Sequence, residues 1–427
     1  MIILVGTLLL MLPISSKTGM WSPFVNCLLT ATSATCVTGL IAYDTFSHWT
    51  IFGQMVILTM IQIGGLGFMT FISMFVMFLR KKINLRERML LVQSSGNMSL
   101  EDVTGLIGRI LKGTLLFEGI GALLLSIYFV PRLGVGQGIY NAIFHSISAF
   151  CNAGFDLMGK VQPFSSFTTA TDHVLLNCTI MGLIIIGGIG FIVWDDVLTH
   201  KHRLKRYCLH SKLAIVTTLV LLIGGTVFFY FSEGEGALEG LTGATKWLAA
   251  AFQSVTLRTA GFNTVDQAAL SGPGSILSMI FMVIGGSPGS TAGGVKTVTV
   301  AVVLLTALSV MRNRRGVEVF KKSLPQQIIR QGFAVLMIYL TVLLGAGILL
   351  SWIEPFGLRE IFYEISSAIG TVGITMGITT RLSISGKLII TFLMFFGRIG
   401  GLSLAMAFSE DRPEPPLQRP EGNLLVG

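Results

Sequence analysis

Four glycines sit in four short, similar stretches of the chain: SATCVTGL holds Gly39, SAFCNAGF holds Gly154, VTLRTAGF holds Gly261 and SAIGTVGI holds Gly373. The intervals between them are 115, 107 and 112 residues, and a period kept over four copies marks an internal repeat. The chemistry these stretches can do is cation coordination. A dehydrated cation inside a membrane needs oxygen ligands in place of its water shell, and rings of backbone carbonyls supply them without burying negative charge. Aiming successive carbonyls at one point requires backbone conformations that a Cβ penalises and glycine tolerates. One glycine per repeat predicts a ring of four oxygen-lined positions. Its members are Thr35, Cys36, Val37, Thr38 and Gly39; Cys151, Asn152, Ala153 and Gly154; Thr256, Leu257, Thr259, Ala260 and Gly261; and Gly370, Thr371, Val372 and Gly373. The duller reading is helix packing, since 50 of the 427 residues are glycine and small residues let membrane helices approach closely. The matched position in four copies favours the ring.

The elements that must position such a ring follow from hydropathy. The chain is 52% hydrophobic and 12% charged, against roughly 25% charged in soluble domains, with mean hydropathy +0.76. A water-soluble globule is excluded. Each glycine stretch lies in a short segment (24–40, 139–155, 246–262, 358–374) between two apolar runs. The first runs are 2–12, 109–129, 213–231 and 332–353; the second are 51–79, 173–194, 275–311 and 384–408. The short segments are too short to span twice and too apolar for external loops. They fit re-entrant hairpins buried in protein, each a half-helix whose negative C-terminal end faces the ring and favours a cation.

The net charge of +9 comes from 30 basic and 21 acidic residues. Eighteen of the basic ones fall in three clusters, Arg80 to Lys112, Lys201 to Lys212 and Arg312 to Arg330. Placed between apolar runs, they read as cytoplasmic loops and not as a nucleic-acid surface, and each block between them crosses the membrane an even number of times. The expected fold is an all-α polytopic membrane protein, with four tandem helix, re-entrant loop, helix repeats around one central pore and about eight membrane helices. The repeats divide at 1–82, 83–200, 201–315 and 316–408, and 409–427 is a cytoplasmic tail. The run 2–12 lacks a basic leader and an exit site before Pro13, so it reads as a shortened first membrane helix, not a signal peptide. Five scattered cysteines without a CxxC pair predict neither a disulfide framework nor a metal site.

A second motif, GGSPGSTAGGVK at 285–296, interrupts the run 275–311. That run is too long for one straight span of about 20 residues. Its glycines and Pro288 should break the helix, which is tolerated where broken helices line a water-filled cavity. An ordinary loop between two spans is the alternative, but it would put the next basic cluster outside. Ionisable residues at membrane depth are functional hypotheses. Arg258 is expected behind the ring, paired with Glu360 or Glu364, and Glu118 to serve helix packing. Asp44, Asp156, Asp172, Glu233, Glu235, Glu239, Asp266 and Glu354 fall in external connections, either as a cation-concentrating vestibule or as a solvated rim. KHRLKRYCLH, at 201–210, is a solvated loop or a docking surface; His200, His202 and His210 are too loosely spaced for a metal site.

The four SAxxxxG-like loops, SVTLRTAGFN and GGSPGSTAGGVKT resemble the Trk/Ktr/HKT superfamily of potassium transporters over nearly the whole chain, most closely the ion-conducting membrane subunit of bacterial Ktr systems. The resemblance implies a bacterial cytoplasmic (inner) membrane location and potassium as cargo, with sodium as a further candidate and no organic cofactor. It also implies that Gly285, Gly286, Ser287, Pro288, Gly289, Ser290, Thr291, Ala292, Gly293, Gly294 and Lys296 form an intramembrane gate below the filter, and that Arg398 is an electrostatic barrier there. A structural arginine bonded to carbonyls of the broken helix is the other reading of Arg398, and Lys296 either acts with it or snorkels. The implied assembly is a homodimer in the lipid membrane, seated on a cytoplasmic ring of nucleotide-binding regulatory subunits. Other functions fit less well. A membrane enzyme would need HExxH, GxSxG or paired carboxylates, and an inverted-repeat cation-coupled permease would need repeats of opposite topology. A less selective sodium/potassium channel remains the closest alternative.

Overall fold

In the computed structural model, the described residues are 1–67, 100–314 and 316–400, with the backbone alone for 100–107. The proposed boundary near residue 82, most of the first basic cluster and the tail 409–427 lie outside them. Among the described residues the regular secondary structure is helical apart from one small hairpin, Glu318–Val319 with Lys322–Ser323.

The helices are α1 (Ile2–Met11), α2 (Phe24–Cys36), α3 (Ile51–Leu66), α4 (Leu100–Leu133), α5 (Val135–Phe150), α6 (Val174–Gly188) and α7 (Phe191–His200). They continue with α8 (Leu209–Ser232), α9 (Gly243–Thr256), α10 (Gly272–Val283), α11 (Thr297–Met311), α12 (Gln326–Ile353), α13 (Leu358–Gly370) and α14 (Ile384–Ile399). Local signals set their starts. Ser271 and Ser383 cap α10 and α14 through hydroxyls that accept the Gly274 and Gly386 N–H groups, both at 3.1 Å, and Pro325 precedes α12, where a missing N–H costs nothing.

Among the described residues, three helices are long and apolar enough to cross a bilayer: 108–133 of α4, α8 and α12. Their outer faces carry exposed Leu115, Leu123, Val220, Ile223, Leu344 and Ile348, apolar surface that has to meet lipid. The short helices are the opposite case. Along α13 every residue from Tyr363 to Gly370 is buried, and α2, α5 and α9 are buried over their C-terminal halves.

Packing runs cyclically. α3 packs on α5, α6 on α9, α10 on α13, and α14 returns to α2. Close approach needs glycine at the contact: a Cβ at Gly64, Gly187 or Gly397 would run into the carbonyl of Thr35, Phe150 or Ile369, each in a short helix or its cap. These carbonyls belong to helix ends, so a side chain there would displace backbone and not a rotamer.

One expectation is corrected. The run 173–194 reads as a single apolar stretch, yet it is two helices bent by 94°. The break falls at Gly190, whose φ of 105° no ordinary residue adopts readily. Gly67 (φ 83°) and Gly400 (φ 87°) end α3 and α14 in the same way.

Candidate functional site

Each short helix ends at a glycine-bearing loop, and the four loops share one backbone path. Val37, Asn152, Thr259 and Thr371, each two residues before its glycine, have φ of 57°, 58°, 67° and 53°. The glycines themselves follow at 99°, 70°, 84° and 93°. Left-handed geometry costs a β-branched residue such as Val37 or Thr371 of order 1–3 kcal/mol, so the surroundings must impose it. Helix-end bonds do so: Thr38, Ala153 and Val372 donate their N–H groups to Ser33, Ser148 and Ser367 carbonyls, all at 2.8 Å. In the third loop Ala260 donates to Thr256 at 2.9 Å. Thr256 therefore holds the serine's place, and the third loop is one residue shorter than the others. Its hydroxyl is bonded to the Phe262 carbonyl at 2.7 Å, as that of Ser148 is to Phe155 at 2.7 Å. The hydroxyls of Ser33 and Ser367 instead accept the N–H groups of Gly39 and Gly373, at 2.9 and 3.0 Å.

The four glycines lie side by side in chain order. A Cβ on Gly39 would come within 2.7 Å of the Ala153 oxygen and 3.2 Å of the Gly154 Cα. One on Gly154 would sit 2.8 Å from the Gly261 Cα, and one on Gly261 2.6 Å from the Val372 oxygen. One on Gly373 would collide with the Thr38 oxygen, closing the circuit. Carbonyl oxygens of Thr38, Ala153, Ala260 and Val372 thus converge where only backbone fits. Around them the hydroxyls of Thr35, Thr38 and Thr371 are buried without a hydrogen-bond partner among the described residues, and the Asn152 amide lies 3.2 Å from the Thr259 hydroxyl.

Arg258 is 5% exposed, but the expected partner is not there. Its Nε and Nη2 meet no acceptor among the described residues. Glu364 instead accepts the hydroxyls of Thr375, at 2.6 Å, and Thr379, and the Glu360 carboxylate accepts the Gly357 N–H at 3.1 Å, capping α13. Glu118 accepts from Gln62 at 3.1 Å, tying α4 to α3.

A cavity of about 650 Å³ opens on the ring, lined by all four glycines together with Asp44, Asp156, Glu239, Asp266 and Gln267. Burial pushes the Asp156 carboxyl up to about 7, with the neighbouring Asp44 adding to the rise and the Met158 N–H opposing it. Four of the acids expected there, Asp172, Glu233, Glu235 and Glu354, do not line this cavity. Glu233 and Glu354 are 1% and 6% exposed and accept from Ser271 and Ser383, the caps of α10 and α14. They fasten helices together, because a buried carboxylate at a helix N-terminus satisfies free N–H groups.

On the other side of the ring lies the segment 285–296, between α10 and α11. Its ends are clasped by Val295 donating to Val283 at 3.0 Å and Gly285 to Val295 at 2.9 Å. Its body is bonded to the kinks of other helices: Ser287 donates to Gly188 at 3.0 Å, Thr291 to Gly187 at 3.3 Å and Gly294 to Gly397 at 3.3 Å, while Phe191 donates to Gly289 at 2.8 Å. Arg398 donates to the carbonyls of Thr291 and Gly64. Lys296 folds back onto Ala292 at 2.6 Å, so it does not snorkel. A Cβ on Gly293 would strike the Thr371 side chain, which puts this segment directly against the ring's fourth loop. The kink glycines that receive the loop escaped the sequence reading, although GGLG at 64–67, GGIG at 187–190 and GRIG at 397–400 repeat the signal.

Several apolar helices, a bent pair and buried glycine loops define a multi-pass membrane protein. More particularly, the chain belongs to the TrkH family of cation transport proteins, whose profile covers residues 3–419. It is 39% identical to the potassium/sodium uptake protein NtpJ of Enterococcus hirae, over 100% of this chain and 95% of that protein. It is likewise 39% identical to the Ktr system potassium uptake protein B of Bacillus subtilis, over 100% of this chain and 94% of that protein. The crystal structure of the potassium transporter TrkH from Vibrio parahaemolyticus has the same fold, with a TM-score of 0.71 at 16% identity over 91% of this chain and 79% of that one.

Proposed function

We propose that this chain is the ion-conducting membrane subunit of a potassium uptake system, in which four tandem repeats surround one pore and the glycine ring is its selectivity filter. The observation that carries this reading is the closed circuit Gly39, Gly154, Gly261, Gly373, each at positive φ behind the C-terminal end of a buried short helix. Carbonyl oxygens at such a constriction replace the water of a dehydrated monovalent cation, and the helix ends add negative potential. Segment 285–296, braced by Arg398, acts as the gate between the ring and the cytoplasm. The working assembly is a homodimer on a cytoplasmic ring of nucleotide-binding subunits, since the described and matched chain carries no nucleotide-binding motif and one relative is named as part of a Ktr system.

Uptake of radioactive rubidium by cells lacking other potassium uptake tests the reading. Saturable uptake that potassium competes away is expected; no uptake with protein and partner present at the membrane refutes it. Sodium is a second cargo to consider because one relative is named for both ions. Competition of rubidium uptake by sodium at millimolar concentration decides that point.

A further inference from the structure

The residue three positions before Ser33, Ser148, Thr256 and Ser367 is polar in every short helix: Thr30, His145, Gln253 and Glu364. All four are 2% exposed or less. Thr30 bonds within its own helix, to Asn26 at 2.9 Å. The other three reach the chain that leaves the ring toward the acid-lined cavity. His145 accepts the Leu157 N–H at 3.1 Å, and Gln253 exchanges two bonds with Gln267 at 2.8 and 3.0 Å. Glu364 accepts one hydroxyl on each oxygen, from Thr375 and Thr379. In three of the four repeats the position thus braces the outer wall, and only in the fourth is the brace a carboxylate.

That difference has chemical consequences. Both oxygens of Glu364 act as acceptors, and no described basic side chain bonds it. Thr375 and Thr379 line the cavity and turn their hydroxyl protons toward Glu364, so what they can offer the cavity is oxygen lone pairs. Thr375 also accepts the Gly377 N–H at 3.0 Å, which fixes its orientation. The first three repeats put Asp44, Asp156, Glu239 and Asp266 on the cavity wall, whereas the fourth lines it with Thr375 and Thr379 and no acid of its own. A carboxylate behind those hydroxyls is therefore what gives this side its attraction for cations, its field carried into the cavity by low-dielectric surroundings.

We propose that Glu364 makes the fourth-repeat wall an outer loading site, where the hydroxyl oxygens of Thr375 and Thr379 receive a partly hydrated monovalent cation before it enters the ring. Glu364 is a positioning residue, acting through the two threonines. The inference rests on the reading of the ring as a filter, and it gives the fourth wall a cation site where the other three carry acids on the cavity surface.

Rubidium uptake kinetics of the full chain with its partner, at matched membrane levels, test it. Glu364→Gln keeps the shape but removes the charge and forces one amide donor toward a hydroxyl, turning that proton outward. The expected result is a KM for rubidium raised about three- to tenfold with Vmax changed by less than about twofold. Glu364→Asp should recover part of the loss. Added choline chloride should raise the wild-type KM more than that of the Gln variant, since salt screens a charge that the variant lacks; a purely structural brace would not alter that response. An unchanged KM, a fall in Vmax alone, or equal salt responses overturn the proposal. Should Glu364→Gln fail to reach the membrane, Thr375→Val decides, since it leaves Glu364 in place: a raised KM supports the site and an unchanged one overturns it. Wild-type protein that takes up no rubidium removes the filter reading and this site together, whereas normal wild-type uptake with an unaltered variant KM removes the loading site alone.

Discussion

Arg398 donates to the carbonyl of Thr291 and, through its other terminal nitrogen, to that of Gly64. One side chain therefore ties α14 to both the segment 285–296 and the end of α3, on the cytoplasmic side of the ring in the proposed pore. Charge and bracing act together here. Arg398→Ala should remove a repulsive charge and free the Thr291 carbonyl, raising potassium flux and lessening dependence on a regulatory partner. Deletion of 287–291 should do the same, because it removes the bonds from Ser287 and Thr291 to Gly188 and Gly187. Flux measured in liposomes at equal protein content is the check; unchanged or lower flux in both variants counts against a gating role.

The ring glycines predict a graded series. At Gly373 a Cβ would meet the Thr38 oxygen most closely, and at Gly39, Gly154 and Gly261 the nearest backbone atom would lie 2.7, 2.8 and 2.6 Å away. Each glycine also sits at positive φ, where a side chain costs about 1–3 kcal/mol. Ser substitution should weaken rubidium affinity by roughly tenfold or erode discrimination against sodium, with Gly373→Ser the most severe. Wild-type affinity and selectivity in all four variants, each confirmed in the membrane, would remove the ring from the conduction path.

What the sequence disclosed and what it concealed have physical explanations. Apolar runs were legible because lipid-facing helices need only composition, and the four glycines because their spacing is periodic. The left-handed residues before them were not: Val37 and Thr371 are poor choices for that geometry, which the helix-end bonds to Ser33 and Ser367 impose. The bend at Gly190 was hidden inside IIIGGIGF, where hydropathy is continuous across the break and glycine conformation alone creates it. Arg258 and Glu364 looked like partners because opposite charges in buried helices invite pairing. Arg258 lies in the third loop, which is one residue shorter when counted from Thr256, and two threonine hydroxyls already satisfy Glu364.

Asp156 predicts a pH dependence for the cavity. It lines the cavity near Asp44, with burial the main reason that its carboxyl is raised to about 7. A raised value means that the proton is lost only as external pH climbs through that region. Between pH 8 and pH 6 the cavity should therefore lose negative charge, and the KM for rubidium should rise by about two- to fivefold. Asp156→Asn should show the acid-side KM throughout and a flatter profile. A profile equally steep in the variant would assign the titration to another group.

Glu354 and Glu233 test the division between vestibule and scaffold. Glu354 follows α12 and accepts the Ser383 N–H and hydroxyl at 3.0 and 2.6 Å; Glu233 follows α8 and accepts those of Ser271 at 2.9 and 2.5 Å. The serine is in each case the cap of the next long helix, and a glycine three residues on, Gly386 or Gly274, leaves room that a Cβ would take from the carboxylate. In the first quarter of the chain the same place is filled by backbone: Thr50 donates its N–H to Ser15 at 2.9 Å and its hydroxyl to Ile14 at 2.6 Å. The acids thus make, in the third and fourth quarters, the bonds that backbone carbonyls make in the first. Losing such a charged, buried acceptor should cost about 1.5–3 kcal/mol, so Glu354→Ala, Glu233→Ala, Gly386→Ala and Gly274→Ala should each lower thermal stability in detergent. Because these carboxylates are turned away from the cavity, the KM for rubidium of surviving protein should match wild type. A raised KM with intact thermal stability would return both acids to the vestibule and undo the staple assignment.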